Sequence, residues 1–210
     1  MINRLDGYGK PGNTLVIIDS PSKTSLKSGR LLSSRQEKIC KAVLVETGLA
    51  DGGVFWTAAI PKFLLKPSTT HVVEWGQRLR DQIEEIKPRR ILALGRIAHA
   101  MLIDRLDENP GSIASVKKVR GAMHEYNASD RKIPMITTVM PYQFLGTSGS
   151  PTDYWFRDFL RDCQKLNNKK SLNPNPQWNW LSWRTLMICK RLLNEFQELM
   201  PLASTLKHPD

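Results

Sequence analysis

Four short apolar runs, LVIID at 15–19, VFWTA at 54–58, ILAL at 91–94 and PMITTV at 134–139, are separated by longer amphipathic stretches. That alternation leaves few folds open. Short, continuously apolar runs suit strands buried on both faces, and the intervening helices are long enough to return the chain for parallel pairing. The expected class is α/β, a three-layer α/β/α arrangement around a mostly parallel, four-stranded sheet.

The crossovers support this reading. SSRQEKICKAVLVETGL, 33–49, places Ile39, Val43, Leu44 and Leu49 on one helical face and ends at glycine. STTHVVEWGQRLRDQIEEIKP, 68–88, opens on Ser/Thr caps, carries Val72, Trp75, Leu79, Ile83 and Ile86 at helical spacing, and stops at Pro88. A third helix is expected over 96–106. Gly121 and the turn at 127–130 make 112–134 a loop or hairpin. A last helix over 151–166 turns Trp155, Phe156, Phe159, Leu160 and Cys163 inward.

At 210 residues the chain suits one medium domain, 1–167, with an appendage over 168–210. The appendage begins in an Asn/Pro-rich linker and continues as a C-terminal amphipathic helix expected to pack on the domain, with Trp178, Trp180 and Trp183 as anchors. A net charge of +11 favours polyanionic partners such as nucleic acid. Cys40, Cys163 and Cys189 are scattered and form no CxxC, so reduced thiols and no structural metal are expected. The first residues lack the apolar core of a signal peptide, and no apolar run approaches the roughly 18 residues of a membrane span. A cytoplasmic monomer without membrane contact is the expectation.

Nucleotide-site patterns are poor matches. GYGKPG at 7–12 fits GxGxxG literally, but it precedes the first strand and contains Pro11. Lys23-Thr24 lacks the preceding glycines of a phosphate loop. Asp19 is more informative, because ligand clefts of open α/β sheets form at the carboxyl ends of strands. An acid there serves equally well as a functional group or as a cap for the following turn.

Several segments in order resolve part of this. IDSPSKTSLKSGRLL, 18–32, is similar to the motif GEAPGxxxxxxGRPF of the iron-sulfur branch of the uracil-DNA glycosylase superfamily, with Asp19 in the acidic place, Pro21 on the proline and Gly29-Arg30 on the Gly-Arg. IEEIKPRRILALGRIAHAML, 83–102, resembles that branch's "IKP.vIvaLG" segment, and VRGAMHEY, 119–126, its RGxxHEY hairpin. IPMITTVMPYQFL, 133–145, stands where the family has a strand entering HPAYLL. The resemblance covers about 14–166.

The resemblance implies a protein that flips a base out of DNA and hydrolyses its N-glycosidic bond, leaving an abasic site. It makes Asp19 the group stabilising the sugar cation or orienting water, with His124 as a secondary catalytic candidate. It places Ser20, Pro21, Ser22, Phe55, Ala58 and Met140 around the base. Lys23, Lys27, Arg30, Arg120 and Gln143 fall to the DNA backbone, and Tyr142, Phe144 and Leu145 to a wedge filling the vacated stack.

The base-reading residues depart from the pattern. Ala58 replaces the Asn that bonds uracil and Met140 replaces the His before Pro141; neither side chain makes those hydrogen bonds. An iron-sulfur cluster needs four cysteines, and the chain has three, so no cofactor is expected. The small Ser22 and Ala58 suggest a pyrimidine with a bulky 5-substituent, such as hydroxymethylated or glucosylated cytosine in bacteriophage DNA, and hence antiphage defence. The alternatives are an inactive DNA-binding or replication-accessory module on this fold, or a transferase modifying a DNA base.

Overall fold

The computed structural model describes residues 4–106, 111–145 and 153–167, all within the first of the chain's two units, Met1–Leu172. The linker and C-terminal helix expected over 168–210, with their three tryptophans and Cys189, lie outside the described residues. So does the loop 146–150.

The four expected strands are present as β2 (Thr14–Ile18), β3 (Val54–Ala58), β4 (Arg90–Leu94) and β6 (Lys132–Thr138), joined by β1 (Tyr8–Gly9) and β5 (Met123–Asn127). The sheet therefore has six strands instead of four, in the order β1-β3-β2-β4-β6-β5. Its centre, β3-β2-β4-β6, is parallel; β1 and β5 pair antiparallel on the two edges. β5 is the first arm of the hairpin expected near 121–130. β1 comes from the Gly-rich stretch at 7–12, which is too short to carry a periodic signal.

Helices cover both faces. α2 (Ser34–Glu46) starts at a capping box in which the Ser33 hydroxyl accepts from Gln36 N–H and the Gln36 carboxamide accepts from Ser33 N–H. It buries Ile39, Cys40, Val43 and Leu44. α7 (Asp153–Asn167) packs on β6 and, with α2, covers one side of the sheet. α3 (Thr69–Ile86) and α4 (Ile97–Leu102) cover the other, where Val72, Leu79, Ile83 and Met101 meet Leu15, Ile17, Ile91 and Ala93. These fully buried aliphatic side chains form a continuous core, each contributing about 1.5–3 kcal/mol against exposure. α4 is shorter than the expected 96–106. Two further short helices are α1 (Lys23–Lys27) and α5 (Val116–Val119), and α6 (Pro141–Leu145) follows β6.

The topology fixes where a ligand can enter. From β2 the chain passes through α2 to β3 on one side, then through α3 across β2 to β4 on the other. β2 is thus the switch point, and the crevice lies beyond its carboxyl end. The register brings Ile18, Ala58, Leu94 and Thr138 level at that end.

Candidate functional site

Asp19 is the first residue beyond β2, on the α4 side by strand alternation. Its two carboxylate oxygens each accept a backbone N–H at the start of α4: Arg96 to Oδ2 at 3.1 Å and Ile97 to Oδ1 at 2.7 Å. Asp19 is therefore a cap, but of a helix 77 residues away in sequence and not of its own turn. Gly95 makes the arrangement possible. Its φ is +105°, and a Cβ there would stand 2.2–2.5 Å from the Asp19 carboxyl. The peptide of Gly95 is pinned from behind, its N–H donating to Thr138 O at 2.9 Å.

Burial pushes the Asp19 carboxyl up to about 6, outweighing the backbone N–H groups of Ile97 and Arg96 that favour its charged form. Near neutral pH it is ionised, yet close enough to its titration point to exchange a proton. Tyr142, 61 % exposed at the start of α6, lies within its field: burial first, then the Asp19 charge, raises the phenol. Ile60 N–H donates to Asp19 O at 3.0 Å, tying the exit of β3 to the same point.

The other expected site residues divide. Ser20 is partly exposed beside Asp19, and Pro21 is buried. Ser22 is exposed and caps α1, its hydroxyl accepting Ser25 N–H at 3.0 Å. Lys23 and Lys27 therefore project from a short helix instead of a loop, one turn apart and exposed. Ala58 is fully buried at the end of β3, and its carbonyl accepts from the Arg78 guanidinium. Met140 is buried, and its N–H donates to the Gln143 carboxamide at 2.9 Å.

Seven expected site residues have other partners or positions in the fold. Phe55 pairs in register with Leu15, four residues before Asp19 and so about 13 Å down the sheet; its ring packs under Gly7. His124 faces His99 edge-on, ring centroids 4.9 Å apart, beneath α4 and away from Asp19. Arg120 pairs with Asp158 at 2.5 Å and lies over the rings of Tyr154 and Trp155, so its charge is spent on α7. Gln143 folds back on Met140. Phe144 is fully buried, stacked on Phe159 and edge-on to Phe156, and Leu145 is buried beside it. Helical spacing explains these last two: α6 turns Phe144 and Leu145 into the core and leaves Tyr142 outside. Arg30, finally, is half-exposed but reaches Glu37 at 3.3 Å, a carboxylate that also binds Lys41.

Gly95, Arg96 and Ile97 were not anticipated as site residues, because their contribution is backbone N–H groups and a missing Cβ. His99, buried with Nδ1 3.0 Å from the Thr137 hydroxyl, was also missed; burial lowers its pKa, and the nearby Asp104 opposes that shift.

An iron-sulfur cluster needs four converging thiolates; the described residues supply two cysteines, Cys40 and Cys163, both buried in helices, and these alone do not fit one. Among the described residues no three His, Cys, Asp or Glu side chains gather as a metal site, and no helix is long and apolar enough to cross a membrane.

Residues 7–164 match the family model described as the uracil DNA glycosylase superfamily. A Type-4 uracil-DNA glycosylase from Sulfurisphaera tokodaii is 25 % identical over 144 residues, which are 66 % of this chain and 64 % of that protein, so the chain spans somewhat under two thirds of its relative's length. The switch-point acid, the level strand ends and the match through nearly all of the described fold converge: the chain belongs to the uracil-DNA glycosylase superfamily.

Proposed function

We propose that this protein is a DNA glycosylase, hydrolysing the N-glycosidic bond of a base flipped into the crevice beyond β2 and leaving an abasic site. The observation that carries the reading is Asp19, an acid held by two backbone N–H groups at the switch point of a superfamily sheet. As the base departs, positive charge grows on the sugar, and a fixed carboxylate favours that state without reorganising. The ionised form is required, so base release rises with pH toward about 6 and levels above it. Lys23 and Lys27, exposed on α1 just after Asp19, are the proposed contacts for phosphates flanking the base.

The target is proposed to be a 5-substituted pyrimidine, hydroxymethylated or glucosylated, with antiphage defence as the setting. Support comes from Ala58 and Met140, which offer no side-chain hydrogen bond where plain uracil would need them. Incubating the full chain with duplexes carrying each modified base, then cleaving with alkali, tests the target. Strand breaks at a 5-substituted pyrimidine and few at uracil are expected; uniform inactivity of well-folded protein would sink the proposal.

A second reading has its own observation. Both Asp19 oxygens are engaged as a cap, which an inactive DNA-binding module would also need for stability. Asp19→Asn separates the two. For a glycosylase, base release is lost while DNA affinity and folding are retained, the missing hydrogen bond costing at most about 2 kcal/mol. For an inert module only the stability changes.

A further inference from the structure

A glycosylase that extrudes a base must fill the gap it leaves, and burial of Phe144 and Leu145 removes two of the three side chains expected to do so. The described residues carry exposed apolar surface elsewhere. Leu65 is 82 % exposed and Phe63 40 % exposed, both on the segment between β3 and α3. Their exposure is built, not frayed. Pro61 is buried and its carbonyl accepts Leu5 N–H at 2.9 Å, Leu64 packs on the core cluster, and Lys62 is held by Glu74 at 3.0 Å and by the Trp75 ring. With Leu64 fixed inward, its two neighbours are driven outward. Phe63 and Leu65 thus put two exposed apolar side chains within three residues on one anchored loop.

The position of this loop is tied to the site. Ala59 N–H donates to Ile18 O at 2.8 Å and Ile60 N–H to Asp19 O at 3.0 Å, so the loop departs from the acid itself. Leu65 follows five residues later, no more than about 17 Å of chain away. The adjoining Lys66 is exposed, and the chain carries a net +11. An apolar tip beside a cation matches a DNA strand, with bases to separate and phosphates to neutralise, better than an uncharged protein surface.

We propose that the β3–α3 loop is the wedge of this protein: Leu65 enters the base stack, Phe63 lies against the adjoining base, and Lys66 meets the phosphate beside them. The inference rests on the glycosylase reading but needs no knowledge of the target base. Tyr142, across the crevice at the end of β6, faces the opposite side of the opened step.

The test uses the full chain and two labelled duplexes, identical except for one tetrahydrofuran abasic-site analogue, which removes the cost of unstacking. Wild-type protein is expected to prefer the abasic duplex. Leu65→Ser should lose about tenfold of that preference, while Val73→Ser, an exposed apolar site on α3, should lose none. Lys66→Ala should weaken both duplexes equally and lower the salt slope by about one. Leu65→Trp should show emission quenched on the abasic duplex. An unchanged preference in Leu65→Ser, no preference in wild type, unquenched Trp emission, or a Leu65-dependent attachment to anionic vesicles with DNA binding intact would each overturn the proposal. Base release that continues with a Leu65-independent preference removes the wedge and leaves the glycosylase. A Leu65-dependent preference without base release from any duplex does the reverse.

Discussion

A carboxyl group beside a glycine with φ +105° is a local conflict resolved in favour of the acid: the backbone adopts a conformation costly to other residues so that Asp19 can lie against it. Gly95→Ala is therefore expected to lose base release as completely as Asp19→Asn and to destabilise by more than about 2 kcal/mol, a combination Asp19→Asn does not show. Activity assays paired with urea denaturation distinguish the two variants. Asp162 is a second buried acid, fully enclosed on α7, with Oδ2 accepting the Thr138 hydroxyl at 2.7 Å and burial pushing its pKa up to about 6. Its pKa is higher folded than unfolded, so the fold binds the extra proton, and stability falls as pH rises from about 4 to about 6 before levelling. The span is on the order of 3 kcal/mol. Asp162→Asn should remove the Asp162 share of that fall and leave the share of Asp19, its stability relative to wild type rising between pH 4 and 6 and holding constant above 7. Denaturation midpoints across pH check this.

Between elements, the contacts that matter join α7 to β6 and to Arg120 ahead of β5, and they decide how Arg120 is used. Its guanidinium neutralises Asp158, which Arg161 also contacts, and covers two aromatic rings. Removing it leaves the buried Asp158 carboxylate with the partly exposed Arg161 as its remaining partner. Arg120→Ala should cost about 3 kcal/mol in thermal or chemical denaturation and leave the salt dependence of DNA binding unchanged. The same element explains what was legible in the sequence. The four parallel strands were readable as short continuous apolar runs, and the helices α2, α3 and α7 because each buries a stripe at a period of 3.6 residues. The short pieces were not: α1, α6 and β1 are five residues or fewer, below one period of reliable pattern. Phe144 and Leu145 read as loop residues because the turn that hides them is set by Gln143 bonding to Met140, a contact that no spacing rule reveals. Asp19 was legible by position at a strand end, whereas its partners were not, since backbone N–H groups carry no residue signature. Arg120 and Arg30 looked like free charges because their partners, Asp158 and Glu37, meet them through folding or across a helix turn.

At the scale of the molecule, the positive charge, the superfamily match and the level strand ends point one way, while the base-reading positions have diverged. Ala58 and Met140 are both buried, so on the proposed reading the departure from the uracil motif lies in the packing instead of on the surface. The order β1-β3-β2-β4-β6-β5 has a further consequence for motion. β2 is hydrogen-bonded on both sides over its whole length and fully buried, so its amides have no local route to solvent. In deuterium exchange followed by mass spectrometry, Thr14–Ile18 should label only at the rate of global unfolding, long after α1 and the 59–68 loop. Protection of the strand then extends to the acid at its tip. The Asp19 carboxylate rides on the slowest-opening unit of the fold; for the proposed glycosylase this means that a base must travel the full distance to an anvil that does not rise to meet it.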